Sequence, residues 1–230
     1  MLPQTVLYLD QNYISRIAKY TLEQPNHEDF GQLYLCLQRS RWFTPASPFH
    51  ALETAGSYLL PTVQTLLEEL SKGYWFRSWQ DILLQQRTTQ SLNLPDILTT
   101  EGSWDTPVDV EPFVPLLSIP LEGHLNRRIR KMSEEVRLCL GMLDAEPLPP
   151  FAEVLAKLIA FRSRNSERQL RPSDLVDIIM AASLAPYSLH IATDRFVREA
   201  LDRLGYGEHV YCGRKTGVQK LYQVIAASIP

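Results

Sequence analysis

Residues 172–212, PSDLVDIIMAASLAPYSLHIATDRFVREALDRLGYGEHVYC, carry the pattern that decides the fold. Behind Pro172, Ser173 or Asp174 caps a helix that runs through Leu175-Val176-Asp177-Ile178-Ile179-Met180-Ala181-Ala182 and stops near Pro186. Leu189-His190-Ile191-Ala192 then reads as a buried strand, closed by Thr193-Asp194. A helix over 196–204 ends at Gly205, Val210-Tyr211-Cys212 is a last strand, and a last helix covers 218–227. Strands alternating with helices imply an α/β fold: a parallel sheet in the middle of three layers, α/β/α.

The N-terminal end extends the same pattern. Val6-Leu7-Tyr8-Leu9 is a short apolar run ending at Asp10, with a helix expected from about Tyr13 to Tyr20. Residues 30–38 are apolar at helical spacing, and Trp42-Phe43-Thr44 is a short strand closed by Pro45. Ser47 caps the next helix, with Pro48 at its first position; that helix carries His50 and Glu53. An amphipathic helix follows over 62–71, and 75–86 reads as another.

The stretch 88–126 differs from its surroundings. It holds no lysine or arginine, six acids and five prolines, a density that opposes regular ladders. An acidic, proline-rich excursion is expected there, with helices returning at 124–141 and 151–163. Residues 1–60 and 165–230 therefore form the α/β core, and 61–164 a helical insertion. The excursion also suggests an RNA mimic lying over basic groups, against the plainer reading of a solvated loop.

With 230 residues the chain is long enough for one domain carrying an insertion. The net charge of −3 hides an asymmetry: residues 1–123 hold 7 basic and 14 acidic side chains, residues 124–230 hold 16 and 12. A globally basic nucleic-acid binder is excluded, while a local basic face is not. Cys36, Cys139 and Cys212 make neither a CxxC pair nor a zinc spacing, and a sparse, odd count fits a reducing cytoplasm. No signal peptide is evident, and the most apolar stretch, 175–192, is broken by Asp177, Pro186 and His190, which argues against a membrane span.

Asp10 and Asp194 each stand just past the carboxyl end of a strand. In an open parallel sheet those ends share one rim, where ligands bind. Asp177 lies on a helix that is apolar almost all round, and Glu53 lies among small and apolar residues. Carboxylates in such settings are costly unless paired, protonated or bound to a cation. Gathered at one rim, they suit a hard divalent ion. Taken singly, Asp10 fits a turn equally well and Asp194 an N-cap. Asp174 reads as a cap, and His50 as structural.

Four segments together resemble the PIN-like family of metal-dependent nucleases. Leu7-Tyr8-Leu9-Asp10-Gln11-Asn12 is similar to its opening strand and Asp-x-Asn, and Phe49-His50-Ala51-Leu52-Glu53 to its helix-borne glutamate. Asp177-Ile178-Ile179-Met180-Ala181-Ala182 resembles its D-x-x-I-A-A helix, and Ala192-Thr193-Asp194-Arg195-Phe196 its closing T-x-D segment. The chain departs from the pattern in placing Thr193 directly before Asp194 and in lacking a second aspartate at 195–197. The resemblance implies that Asp10, Glu53, Asp177 and Asp194 bind Mg²⁺ or Mn²⁺, with Asn12 and Thr193 supporting the site. It implies an endoribonuclease that hydrolyses phosphodiester bonds, in single-stranded RNA, with metal-activated water; a scaffold that binds RNA or protein without cutting is the alternative. RNA as substrate, an antitoxin-like inhibitor and a homodimer are the partners it suggests.

Two basic groups flank this centre. Arg127, Arg128, Arg130, Lys131 and Arg137 share one expected helix, and Arg162, Arg164, Arg168 and Arg171 lead into the Asp177 helix. The second group is the favoured phosphate-tracking surface, against the plainer reading of solvated helix faces. Tyr74, Trp75, Phe76 and Trp79 read as core rather than as a base-stacking platform.

Overall fold

The computed structural model describes residues 5–89, 92–162, 172–187 and 189–229. Four parallel strands, β1 (Thr5–Leu9), β2 (Trp42–Phe43), β5 (His190–Thr193) and β6 (Val210–Cys212), form a sheet in the order β2-β1-β5-β6. From β1 the chain builds first to one side, through α1 (Gln11–Thr21) and α2 (Glu28–Arg39) to β2. It later returns to β5 on the other side of β1 and continues through α9 (Arg195–Arg203) to β6. Right-handed crossovers in opposite directions put their helices on opposite faces. The point where the order reverses lies between β1 and β5, where Leu9 pairs with Ala192.

Alternation along the strands separates two cores. Val6, Tyr8, Phe43, Ile191 and Val210 face a large cluster with buried residues of α5 (Trp79–Thr89), α6 (Leu125–Cys139), α7 (Pro150–Arg162), α8 (Pro172–Leu184) and α9. Leu7, Leu9, Trp42, Ala192 and Tyr211 face the other way, onto α1, α2, α4 (Leu60–Ser71) and α10 (Lys215–Ala226). Helices thus cover both faces of the sheet. α3 (Pro48–Thr54) is short and sits at the rim, its N-terminus capped by the Ser47 hydroxyl, which accepts from Phe49 N–H. Among the described residues, no helix is long and apolar enough to cross a membrane.

Three expectations change. The single helix expected over 75–86 splits: Trp75–Phe76 becomes β3, antiparallel to β4 (Leu98–Thr99), and the helix starts only at Trp79. Arg77 N–H donates to Ile97 O at 2.9 Å, and Ser78 Oγ accepts from Asp81 N–H at 3.2 Å, so ladder and cap together fix the break. The excursion 88–126 is not a solvated loop throughout. Ile97, Leu98, Phe113 and Leu116 are buried, and Trp79 Nε1–H donates to Asp109 O at 2.7 Å. Prolines are accommodated in short 3₁₀ turns, Leu94–Ile97 and Glu111–Ser118, which need no long hydrogen-bond ladder. α8 begins at Pro172 itself, so Asp174 lies in its first turn and is not its cap.

Candidate metal centre

Asp10 follows β1 directly and occupies the N-cap position of α1, yet its side chain makes no capping bond. Its backbone N–H donates to Ala192 O at 2.8 Å, stitching it to β5. Its carboxylate instead accepts from Thr193 Oγ1–H at 3.3 Å, and the nearby Gln11 N–H and Asn12 side chain favour its charged form. A turn-residue role therefore does not account for it: the side chain is held facing the rim, at the positive end of α1.

Glu53 reaches the same place by a different route. His50, fully buried one turn earlier, donates from Nε2 to Leu9 O at 2.7 Å and accepts the Ser47 N–H on Nδ1 at 3.1 Å. This fixes one tautomer and staples α3 to the end of β1. Its ring stacks on Tyr8 at 5.2 Å, and burial lowers its pKa to about 4, so it stays neutral. His50 is thus a positioning residue, signalled in the sequence by its place three residues after the Ser47 cap.

Asp177 comes from the second turn of α8. Carboxylate oxygens of Asp10, Glu53 and Asp177 all lie within 4.8 Å of one another. Asp10 is buried, Asp177 half-buried and Glu53 exposed, so the cluster opens to solvent on the Glu53 side. Among the described residues no lysine or arginine forms an ion pair with any of the three. Burial and mutual repulsion push all three pKa values up: Asp10 to about 6 by burial and Asp194, Glu53 to about 8 by burial and Asp10, Asp177 to about 9 by burial and the surrounding carboxylates. Glu53 is exposed over its residue surface, but its carboxyl feels the packed rim. Tyr8, whose role the sequence did not signal, lies beneath: its hydroxyl is buried and pushed to a higher pKa by burial first and then by Asp10, Glu53 and Asp177.

The fourth expected ligand stands apart. Asp194 lies outside that 4.8 Å group, and its Oδ1 accepts Val197 N–H at 2.7 Å as the N-cap of α9. It still adds negative charge that raises the pKa of Asp10 and Asp177. Asp174 is buried and takes an ion pair from Arg162 Nη2 at 3.2 Å.

Arg162, expected on a phosphate-tracking surface, is 5% exposed, lies over the Phe196 ring at 4.3 Å and is committed to Asp174. It is a buried structural cation, because the α8 terminus and α9 close over it. Arg164, Arg168 and Arg171 lie outside the described residues. No described ion pair links an acid of 88–126 to a base of α6; Glu101, Asp105, Asp109, Glu111 and Glu122 are exposed. Trp75, Phe76 and Trp79 are core residues.

Three oxygen donors with no compensating cation among the described residues match the chemistry of a hard divalent ion, and the absence of histidine or thiolate among them disfavours zinc. No family model matches the chain, and no curated protein or solved structure matches it either.

Proposed function

We propose that the chain is a PIN-like, divalent-metal-dependent nuclease that hydrolyses the phosphodiester backbone of single-stranded RNA. The observation that carries this reading is the Asp10–Glu53–Asp177 cluster, with oxygens within 4.8 Å of one another and no described cationic partner. It lies where the strand order reverses, the position at which open parallel sheets bind ligands. The four motif resemblances fall at this same rim, in the chain order the family shows.

Asp10 and Asp177 would hold Mg²⁺ or Mn²⁺, with Asp10 oriented by Thr193 and Asn12. A bound divalent ion supplies positive charge to a phosphodiester and acidifies a nearby water. Glu53, at the open side, helps hold the ion or accepts the proton of an entering water. Asp194 contributes charge from its capping position. A cytoplasmic location and control by an inhibitor protein of the antitoxin kind belong to the same reading. The alternative is a PIN-like scaffold that binds RNA or a protein without cutting; it draws support from Asp194, whose carboxylate is engaged by a helix terminus.

Labelled single-stranded RNA, incubated with purified protein in Mn²⁺, in Mg²⁺ and in EDTA, separates the two. Metal-dependent cleavage lost in Asp10→Asn and in Asp177→Asn supports the nuclease. Binding without cleavage under every condition supports the scaffold.

A further inference from the structure

The basic surface that the sequence places on 162–171 has a counterpart elsewhere. Gln86 bridges Phe151 N–H and the Tyr187 hydroxyl, which puts the start of α7 beside the end of α8. At the opposite end, Arg162 closes α7 against Asp174 at the start of α8, one turn before Asp177. α6 packs along α7 and joins it through a ten-residue connection, 140–149, so the two form an antiparallel hairpin. The first turns of α6 therefore lie at the same end of the layer as Arg162 and the acidic cluster.

That end of α6 is strongly cationic. Arg127, Arg130 and Lys131 are exposed, have no described ion-pair partner, and share one helix face at i, i+3 and i+4 spacing. Arg127, Arg128 and Lys131 line a cavity of about 260 Å³ with Pro120, Leu121 and Glu122. Lys131 Nζ donates to Pro120 O at 2.9 Å, which positions the ammonium at the cavity wall without neutralising it. The first turn of α6 carries no acid, and its N-cap, His124, makes no side-chain capping bond, so the helix N–H groups reinforce the positive field. Among the described residues, Glu122 is the one acid lining the cavity.

We propose that this cavity is a phosphate-binding subsite for single-stranded RNA, engaging backbone phosphates of a strand that passes the acidic cluster. The proposal rests on the nuclease or scaffold reading only for the identity of the polymer. Two cations reaching phosphates release their counterions, about 0.7 each in the slope of log affinity against log salt for a single strand.

The test is fluorescence anisotropy of labelled single-stranded RNA in EDTA, from low to moderate salt, where cleavage is silent. Wild type is compared with Arg127→Ala/Lys131→Ala, and with Lys215→Ala/Lys220→Ala on α10 in the opposite helix layer as a charge-matched control. The expected result is a salt slope reduced by about 1.4 and affinity lowered roughly tenfold or more at low salt in the α6 variant, with the control unchanged. Glu122→Gln, which removes the opposing charge, should tighten binding. An α6 variant that binds with wild-type slope and affinity, or a wild-type protein that does not bind RNA at all, would overturn the subsite. RNA binding with the expected α6 dependence, accompanied by no cleavage in Mn²⁺, would sink the nuclease reading and leave the subsite standing.

Discussion

A carboxylate on an otherwise apolar helix persists only where something stabilises it, and Asp177 has proton sharing with Asp10 and Glu53 or a bound cation. In the metal-free protein above neutral pH, its charge is opposed by burial first and then by the neighbouring carboxylates, which together hold its pKa near 9. Asp177→Asn removes that conflict: the metal-free variant should be more stable than wild type at pH 8, by ~1 kcal/mol in chemical denaturation, and should lose stabilisation by Mn²⁺. An unchanged metal response would remove Asp177 from the centre. His50 acts differently, through Leu9 O and Ser47 N–H, both buried. His50→Ala leaves two backbone groups unsatisfied and opens a cavity, so a loss of about 2–4 kcal/mol is expected, together with weaker metal binding as Glu53 shifts. A stability loss below about 0.5 kcal/mol would show that the staple is dispensable.

At the scale of elements, Asp194 combines two roles that substitutions separate. Asn caps a helix as well as Asp, whereas Ala does not. Asp194→Ala should cost ~1 kcal/mol from α9, while Asp194→Asn should leave stability intact; if both abolish cleavage equally, the carboxylate matters to the site beyond its cap. The strands and helices that carry the acids were legible because local signals and global packing agree there. Leu7-Tyr8-Leu9 is apolar on both sides because both sheet faces are covered, and Asp10 and Thr193 sit at strand ends by topology alone. Ser47-Pro48 marks α3 by capping chemistry. What the sequence concealed depends on distant partners: β3 exists because Leu98 and Thr99 pair with it, 22 and 24 residues away. Phe113 and Leu116 lie in an apolar stretch broken by prolines, PFVPLLSIP over 112–120, with no period to announce which of its residues are buried. The sequence left the place of Asp194 open between cap and ligand, since one pattern serves both, and its carboxylate caps α9.

Carboxylates with no ion-pair partner among the described residues gather at one rim of the molecule, and this sets how its stability depends on pH. Asp177 and Glu53 have folded-state pKa values near 9 and 8, against ordinary values of 3.8 and 4.5. Between those limits the folded state holds more protons than the unfolded chain, so unfolding releases protons and stability falls as pH rises. The favourable contribution is complete below about pH 4 for these two groups and is lost by about pH 9. The comparison is made against Asp177→Asn across the same range, because that variant removes this carboxyl alone. Wild type should lose more melting temperature than the variant between pH 6 and pH 9. A divalent cation replaces the bound protons, so its stabilising effect should grow over the same interval. At a hundredfold excess over its dissociation constant it should contribute about 2.7 kcal/mol. Thermal unfolding with and without Mn²⁺ at pH 6, 7.5 and 9 measures both trends. A metal increment that stays flat with pH, or a variant whose pH profile parallels wild type, would mean that the clustered acids neither share protons nor gather around a cation.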